Sequence, residues 1–135
     1  MVVVDTSVWI DYLNGTSTQH TDWFDAQLTQ RRFGVLDLMV CEILQGVPSD
    51  KAAALVLKHL KRFEIGSTGG ADLAIAAASN YRALRTRGHT IRKTIDCLIA
   101  TYCIREGCSL LHTDRDFDPF EEWLGLSVVH PNVLR

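Results

Sequence analysis

MVVVDTSVWIDYL, residues 1–13, reads as a β-branched strand over Val2–Val4 that ends at Asp5 and passes directly into a helix. Thr6 or Ser7 is placed to cap that helix, which runs through Leu13 and stops at Asn14-Gly15. A short strand with no polar face is one buried on both sides, and the immediate turn into a helix is how parallel sheets begin. The same alternation continues outward along the chain. A helix is expected over Thr18–Gln30 on the apolar residues Trp23, Phe24, Ala26 and Leu28, then a strand over Phe33–Leu36. Leu38–Leu44 forms a helix closed by Gly46, and Asp50 opens another whose stripe of Ala53, Leu57 and Leu60 lies opposite Lys58, Lys61 and Arg62. A strand follows over Phe63–Ile65.

Gly69-Gly70 precedes a long alanine-rich helix, Ala71–Thr86, that Gly88 ends; a further helix spans Ile95–Arg105 and ends at Gly107. Strands are expected over Ser109–Thr113 and Leu126–Val129, the latter before Pro131. Parallel strands need crossover connections of a dozen or so residues, which these helices supply. The fold class is therefore α/β, a central and mostly parallel sheet flanked by helices on both faces. No repeat or linker divides the chain, so residues 1–135 are expected to form one domain.

Composition sets the limits. With 135 residues, 47% of them hydrophobic and 22% charged, the chain can bury a core without disulfides or structural metal. No apolar run approaches the roughly 20 residues of a membrane span. No basic leader or small-residue cleavage site precedes Asp5, so a cytoplasmic protein is expected. Cys41, Cys97, Cys103 and Cys108 have neither CxxC nor zinc-finger spacing, and reduced core thiols follow. A net charge of −2 excludes a protein that grips nucleic acid over its whole surface; any such contact is local.

Four acids keep unusual company. Asp5 closes VVV, Glu42 lies inside LMVCEIL, Asp96 inside TIDCLIA, and Asp114 follows LLHT. A buried carboxylate without a partner costs on the order of several kcal/mol, so something must neutralise these groups. Asp5 and Asp114 fall at strand carboxyl ends, where open parallel sheets carry their functional crevice. Helices leaving that edge bring Asp96, in the opening turn of one, and Glu42, one turn into another, toward it. No Lys or Arg flanks Asp5, Glu42 or Asp96 closely enough in sequence to serve as a counter-ion. Mg²⁺ or Mn²⁺, hard cations that favour oxygen ligands, would serve, and such a site suits metal-assisted phosphodiester hydrolysis. Taken singly, each acid has a plainer role: Asp5 as a helix N-cap, Asp96 as a helix-dipole partner, Glu42 as a half-exposed helix residue, Asp114 as a turn former.

MVVVDTSVWIDYL, VCEILQG, TIDCLIATYCIREGCSLL and HTDRDFD together resemble PIN-domain proteins, most closely the VapC toxins of bacterial toxin–antitoxin pairs. These motifs span nearly the whole chain. The resemblance implies a Mg²⁺- or Mn²⁺-dependent endoribonuclease that hydrolyses RNA with metal-activated water and leaves 3′-hydroxyl and 5′-phosphate ends. Asp5, Glu42 and Asp96 match the family's main acids, with Asp114 or its neighbour Asp116 as the fourth and Asp118 on the loop surface. It also implies a homodimer and a cognate VapB-like antitoxin that covers the acidic pocket. A non-catalytic PIN-like module binding RNA or protein is the alternative, which the intact acids disfavour. A phosphate-accepting α/β domain is disfavoured because DTSVW lacks the DxDx pattern.

Arg82, Arg85, Arg87, Arg92 and Lys93 form a local basic stretch, suited either to RNA phosphates or to a solvated helix end. Thr6 and Thr113 stand beside acids, where capping or strand-end roles are expected ahead of substrate positioning. Trp9, Trp23 and Trp123 are expected in the core or a subunit interface rather than as base-stacking platforms. His112 reads as an ordinary strand residue, and no His or Cys is assigned a catalytic role.

Overall fold

β1 (Val2–Val4) is fully enclosed because it has a parallel neighbour on each side: β2 (Phe33–Leu36) through Val2 opposite Phe33, and β4 (Ser109–Leu111) through Val2 opposite Ser109. β3 (Glu64–Gly66) extends the sheet beyond β2 and β5 (Ser127–Val128) beyond β4, both parallel, giving the order β3-β2-β1-β4-β5. The computed structural model describes residues 1–131. Within them the sheet is wholly parallel, a stricter arrangement than the mostly parallel one expected.

Chain order and strand order together assign the layers. From β1 the chain steps to β2 and β3 in one direction through α1 (Thr6–Leu13), α2 (Gln19–Gln27), α3 (Asp37–Gln45) and α4 (Asp50–Leu60). It then returns across the sheet to β4 and β5 through α5 (Ala71–Thr86), α6 (Thr94–Glu106) and α7 (Asp118–Leu124). Right-handed crossovers place the two sets on opposite faces. The packing agrees: α1 contacts α2 and α3, while α5 contacts α6 and α7. The direction of winding reverses between β1 and β4, the position at whose strand carboxyl ends open parallel sheets carry their functional crevice.

One continuous apolar cluster fills both layers. Its largest member is Trp9, whose ring packs edge-on against Phe24 at 5.1 Å and Phe63 at 5.0 Å. Cys97, Cys103 and Cys108 are buried in the same cluster as free thiols, and Cys41 is exposed. Beside the sheet, Asp37 opens α3. Its Oδ1 accepts the Leu38 N–H at 2.8 Å, the Thr68 N–H at 3.0 Å and the Thr68 hydroxyl, tying the segment after β3 to the end of β2.

The structure differs from expectation at element ends and in one missed helix. Asp5, not Thr6 or Ser7, caps α1. α2 ends at Gln27 rather than Gln30, with Thr18 and Thr21 forming a reciprocal capping box that fixes its start. β4 stops at Leu111 because His112 and Thr113 bend away toward a 3₁₀ turn over Arg115–Phe117. α7 was not expected. Asp118-Pro119 supplies a proline start, Phe120 is buried, and Gly125 at φ 79° ends it, so Asp118 opens a helix rather than lying in a loop. Trp9 is core as expected, Trp23 is half-buried, and Trp123 is exposed on α7 beneath the Arg87 guanidinium at 4.1 Å. No described helix is long and apolar enough to cross a membrane.

Candidate active site

Asp5 follows β1 and Asp114 follows β4, so the two strands at the reversal of winding each deliver a carboxylate to the same crevice. Asp5 is nearly buried. Its Oδ2 accepts the Ser7 hydroxyl at 2.7 Å and the Ser7 N–H at 3.3 Å, the bonds that start α1. Burial pushes its pKa above the ordinary carboxylate range against those bonds, and the charge of Asp114 adds to the push.

Asp96 lies in the first turn of α6, directed inward and only 5% exposed. One carboxylate oxygen each from Asp96, Asp114 and Asp116 fall within 4.8 Å of one another. Asp96 Oδ2 is fully buried with no hydrogen-bond partner. Burial raises its pKa to about 7; Lys93 opposes that rise and Asp114, Asp5 and Asp116 reinforce it. A carboxylate kept in apolar surroundings beside three others, with one oxygen unmatched, is poised either to hold a proton or to meet a cation.

Asp114 and Asp116 share a turn. Asp114 Oδ1 accepts the Asp116 N–H at 2.9 Å, capping the 3₁₀ segment, and the Asp114 N–H donates to His112 Nδ1 at 3.1 Å. Accepting at Nδ1 leaves the proton on Nε2, which is buried without a partner. Burial lowers the His112 pKa, and the ring packs on Phe117 at 4.9 Å. His112 is therefore the internal brace of the turn that carries two acids, a role its sequence setting did not reveal. Asp114 and Asp116 both join Asp96 in the cluster, so the two candidates for the fourth acid stand there together.

Asp5 lies beside this trio but outside it, and so does Glu42. Glu42 reaches toward the site through Thr6, whose hydroxyl donates to Glu42 Oε1 at 2.9 Å, one residue beyond Asp5. The bond spans α1 and α3, so Thr6 orients an acid rather than capping its helix.

The basic stretch divides in two. Arg92 Nη2 lies 3.1 and 3.2 Å from the two Asp116 oxygens, and Lys93 Nζ lies 3.7 Å from Asp114 Oδ2. Asp114 and Asp116 therefore have protein counter-charges, while Asp5, Glu42 and Asp96, the acids for which none was expected, make no ion pair among the described residues. Lys93 stands three residues before Asp96, and that spacing was the available signal. Arg82, Arg85 and Arg87 sit on the last turns of α5 and its C-cap, away from the acids, with Arg85 over Tyr81 and Arg87 over Trp123.

What the arrangement offers chemically is a set of hard oxygen donors, two of them deep and two near solvent, on rigid strand and helix ends. These donors fit a small divalent cation, and the unpartnered Asp96 oxygen is where such an ion would find an unmatched ligand.

Comparison with known proteins places this geometry in context. Residues 2–122 match the family model described as the PIN domain. The chain is 32% identical over 120 residues to Ribonuclease VapC11 of Mycobacterium tuberculosis, covering 87% of this chain and 90% of that protein. Among solved structures, VapBC2 from Rickettsia felis, bound to a DNA fragment from its promoter, superposes with a TM-score of 0.74 at 16% identity over 96% of this chain and 98% of that one. FitAcB from Neisseria gonorrhoeae superposes with a TM-score of 0.73 at 18% identity over 99% of this chain and 100% of that one.

Proposed function

The chain belongs to the PIN-domain family, and we propose that it is a divalent-metal-dependent endoribonuclease acting as the toxin of a toxin–antitoxin pair. The observation that carries the nuclease reading is the meeting of Asp96, Asp114 and Asp116 oxygens within 4.8 Å around a buried, unpartnered Asp96 oxygen. Similarity to a protein named as a ribonuclease supports RNA as the substrate, and likeness to VapBC complexes supports a VapB-like partner.

In this reading Asp5, Asp96 and Asp114 hold Mg²⁺ or Mn²⁺, with Asp116 and Glu42 completing the acidic rim. A bound divalent ion would neutralise charge on the scissile phosphate and make water acidic enough to supply a nucleophile near neutral pH. The chain's own groups do the positioning. Ser7 fixes the Asp5 carboxylate, Thr6 aims Glu42, and His112 braces the Asp114–Asp116 turn, so the donors need little rearrangement on loading. The buried core behind Asp5 and Asp96 closes the inner side of the site to bulk water. Substrate therefore approaches from the solvent side, where Arg92 and Lys93 stand, and Arg82, Arg85 and Arg87 offer further phosphate contacts along α5.

Residues 1–135 act as one domain in this reading, in the cytoplasm, where the four free thiols persist. A homodimer and an antitoxin segment lying over the acidic pocket complete it. Purified protein is expected to cleave RNA with Mg²⁺ or Mn²⁺ and to stop on chelation, and Asp96→Asn is expected to abolish cleavage with circular dichroism unchanged. Cleavage that survives Asp96→Asn or excess chelator refutes the site. Expression is expected to arrest growth, with relief by the co-expressed antitoxin, and light scattering with and without that partner tests the assembly.

A further inference from the structure

Arg82, Arg85 and Arg87 make no ion pair among the described residues, unlike Arg92 and Lys93. Two of them lie on aromatic faces instead. Arg85 stands 5.8 Å from the centre of the Tyr81 ring, and Arg87 stands 4.1 Å from that of Trp123. Trp123 leaves 43% of its surface in water, although it shares α7 with the fully buried Phe120. Leu84 and Phe120, each three residues earlier, belong to the common core and fix where Arg87 and Trp123 reach the surface. The stacked pair is therefore in place before any ligand arrives.

It also stands on a route out of the acidic crevice. The segment 87–93 begins with Arg87 on Trp123 and ends with Arg92 and Lys93 on Asp116 and Asp114. On the other rail, Trp123 follows Asp116 along the 3₁₀ turn and α7, a path of about 10–14 Å at helical rises of roughly 1.5–2 Å per residue. A nucleic-acid strand leaving the acids this way meets the pair within a few nucleotides.

Fold stability does not explain the arrangement. Exposed cation–π contacts contribute little to folding, and the α5 dipole accounts for arginines at its carboxyl end but not for an indole beneath one of them. Recognition of single-stranded RNA does. A guanidinium lying on a ring keeps its N–H donors at the edge, free for phosphate oxygens, while indole and guanidinium planes both stack bases of any sequence. Bases within a duplex are already stacked and gain nothing from such a platform.

We propose that Arg87 and Trp123 form a base-stacking subsite, on which an unpaired nucleobase of the RNA lies a few nucleotides from the scissile bond while Arg82 and Arg85 take adjoining phosphates. This rests on the RNA reading above and adds a contact to a base, made by a tryptophan whose sequence setting pointed to core or subunit interface.

Binding is measured apart from cleavage. The full chain, in chelator so that no RNA is cut, is titrated with two dye-labelled probes followed by fluorescence anisotropy. One is a single-stranded oligoribonucleotide of mixed sequence; the other has the same length and charge but carries no bases. The unsubstituted protein is expected to bind the first roughly tenfold more tightly than the second. Trp123→Ala is expected to weaken the first about tenfold and leave the second within about twofold, and Trp123→Phe, which keeps an aromatic face, to retain most of the affinity. Arg82→Ala with Arg85→Ala is expected to weaken both probes alike. Trp123 is exposed, and circular dichroism confirms that its variants fold. Equal affinity of the unsubstituted chain for the two probes overturns the subsite while leaving the RNA reading intact. So does equal weakening of both by Trp123→Ala, no weakening of either, or a Trp123→Phe chain that binds no better than Trp123→Ala. Binding of neither probe by the unsubstituted chain overturns the subsite and the RNA reading together.

Discussion

Asp5 and Asp37 occupy equivalent stations in the fold. Each follows the last residue of a central parallel strand, and each stands at the start of a helix. Their fates differ because of what comes to meet them. Three donors converge on Asp37: the Thr68 N–H, the Thr68 hydroxyl and its own Leu38 N–H. Partial burial pushes its pKa up, but these bonds outweigh that and hold it below the ordinary carboxylate range. Asp5 also accepts from Ser7, but deep burial outweighs those bonds and nearby acids add to it, so its pKa is raised, and that of Asp96, likewise raised chiefly by burial, reaches about 7. A strand-end aspartate is held charged when the bonds it accepts outweigh its burial, and is left open to a proton or a cation when burial and neighbouring carboxylates win. The difference between β2 and β1 is that only β1 borders the reversal of winding.

Paired amide substitutions break the comparison most forcefully. Asp96→Asn is expected to bring RNA cleavage below detection, a loss of at least the order of 10²–10³-fold that removing a single electrostatic group from an active site produces. The same change is expected to raise the melting temperature of the metal-free protein at pH 8, because a buried carboxylate with an unmatched oxygen gives way to a neutral amide. Asp37→Asn is expected to do the reverse, leaving cleavage within about twofold while costing about 1 kcal/mol, or roughly 4 °C of melting temperature. Loss of stability in both variants, or loss of activity in both, would erase the distinction.

A smaller but more specific effect is expected from Thr6→Val, which removes the hydroxyl that aims Glu42. Cleavage or Mn²⁺ affinity is expected to fall about 10–100-fold, as for other groups that orient metal-site carboxylates, with melting temperature little changed. An unaltered affinity and rate would place Glu42 outside the working site.

Acidity then sharpens the contrast. The Asp96 pKa is higher in the folded chain than in the unfolded one, so its contribution to metal-free stability is full below about pH 4 and is lost as pH rises through about 7. Asp37 runs the other way, its contribution present above the ordinary carboxylate range and lost as pH falls through its depressed value. A divalent ion competes with the Asp96 proton, so the rise in melting temperature on adding Mn²⁺ is expected to be larger at pH 8 than at pH 5.5. A constant or shrinking rise argues against Asp96 as a ligand. The smallest effect is expected from Arg82→Ala with Arg85→Ala: RNA binding weakens without a change in cleavage position, and the salt dependence of binding falls by roughly one unit per lost phosphate contact.

The acids were readable in the sequence because a carboxylate inside VVVD or TIDCLIA contradicts its apolar surroundings, and burial is the rule it breaks. The parallel sheet was readable because strands and crossover helices alternate along the chain. Two things were not. Arg92 and Lys93 pair with Asp116 and Asp114 across 24 and 21 positions, a contact set by the path of the loop before α6 and not by any periodicity. α7 has only seven residues, with Phe120 and Leu124 alone marking its apolar side, too short a pattern to separate from a turn. Asp37 escaped notice for a related reason: whether a strand-end acid is satisfied depends on Thr68, 31 residues away.

The pairing of β1 with β4 has a consequence in time. Asp5 is synthesised well before its strand neighbour at Ser109–Leu111, and Asp114 and Asp116 come later still. A growing polypeptide can bury Val2–Val4 against Phe33–Leu36, but the crevice cannot close until Ser109–Asp116 have left the ribosome and docked, the slow step that distant strand pairing imposes. A site built this way stays open while the residues between Leu36 and Ser109 are being made, and it forms only when Ser109–Asp116 dock.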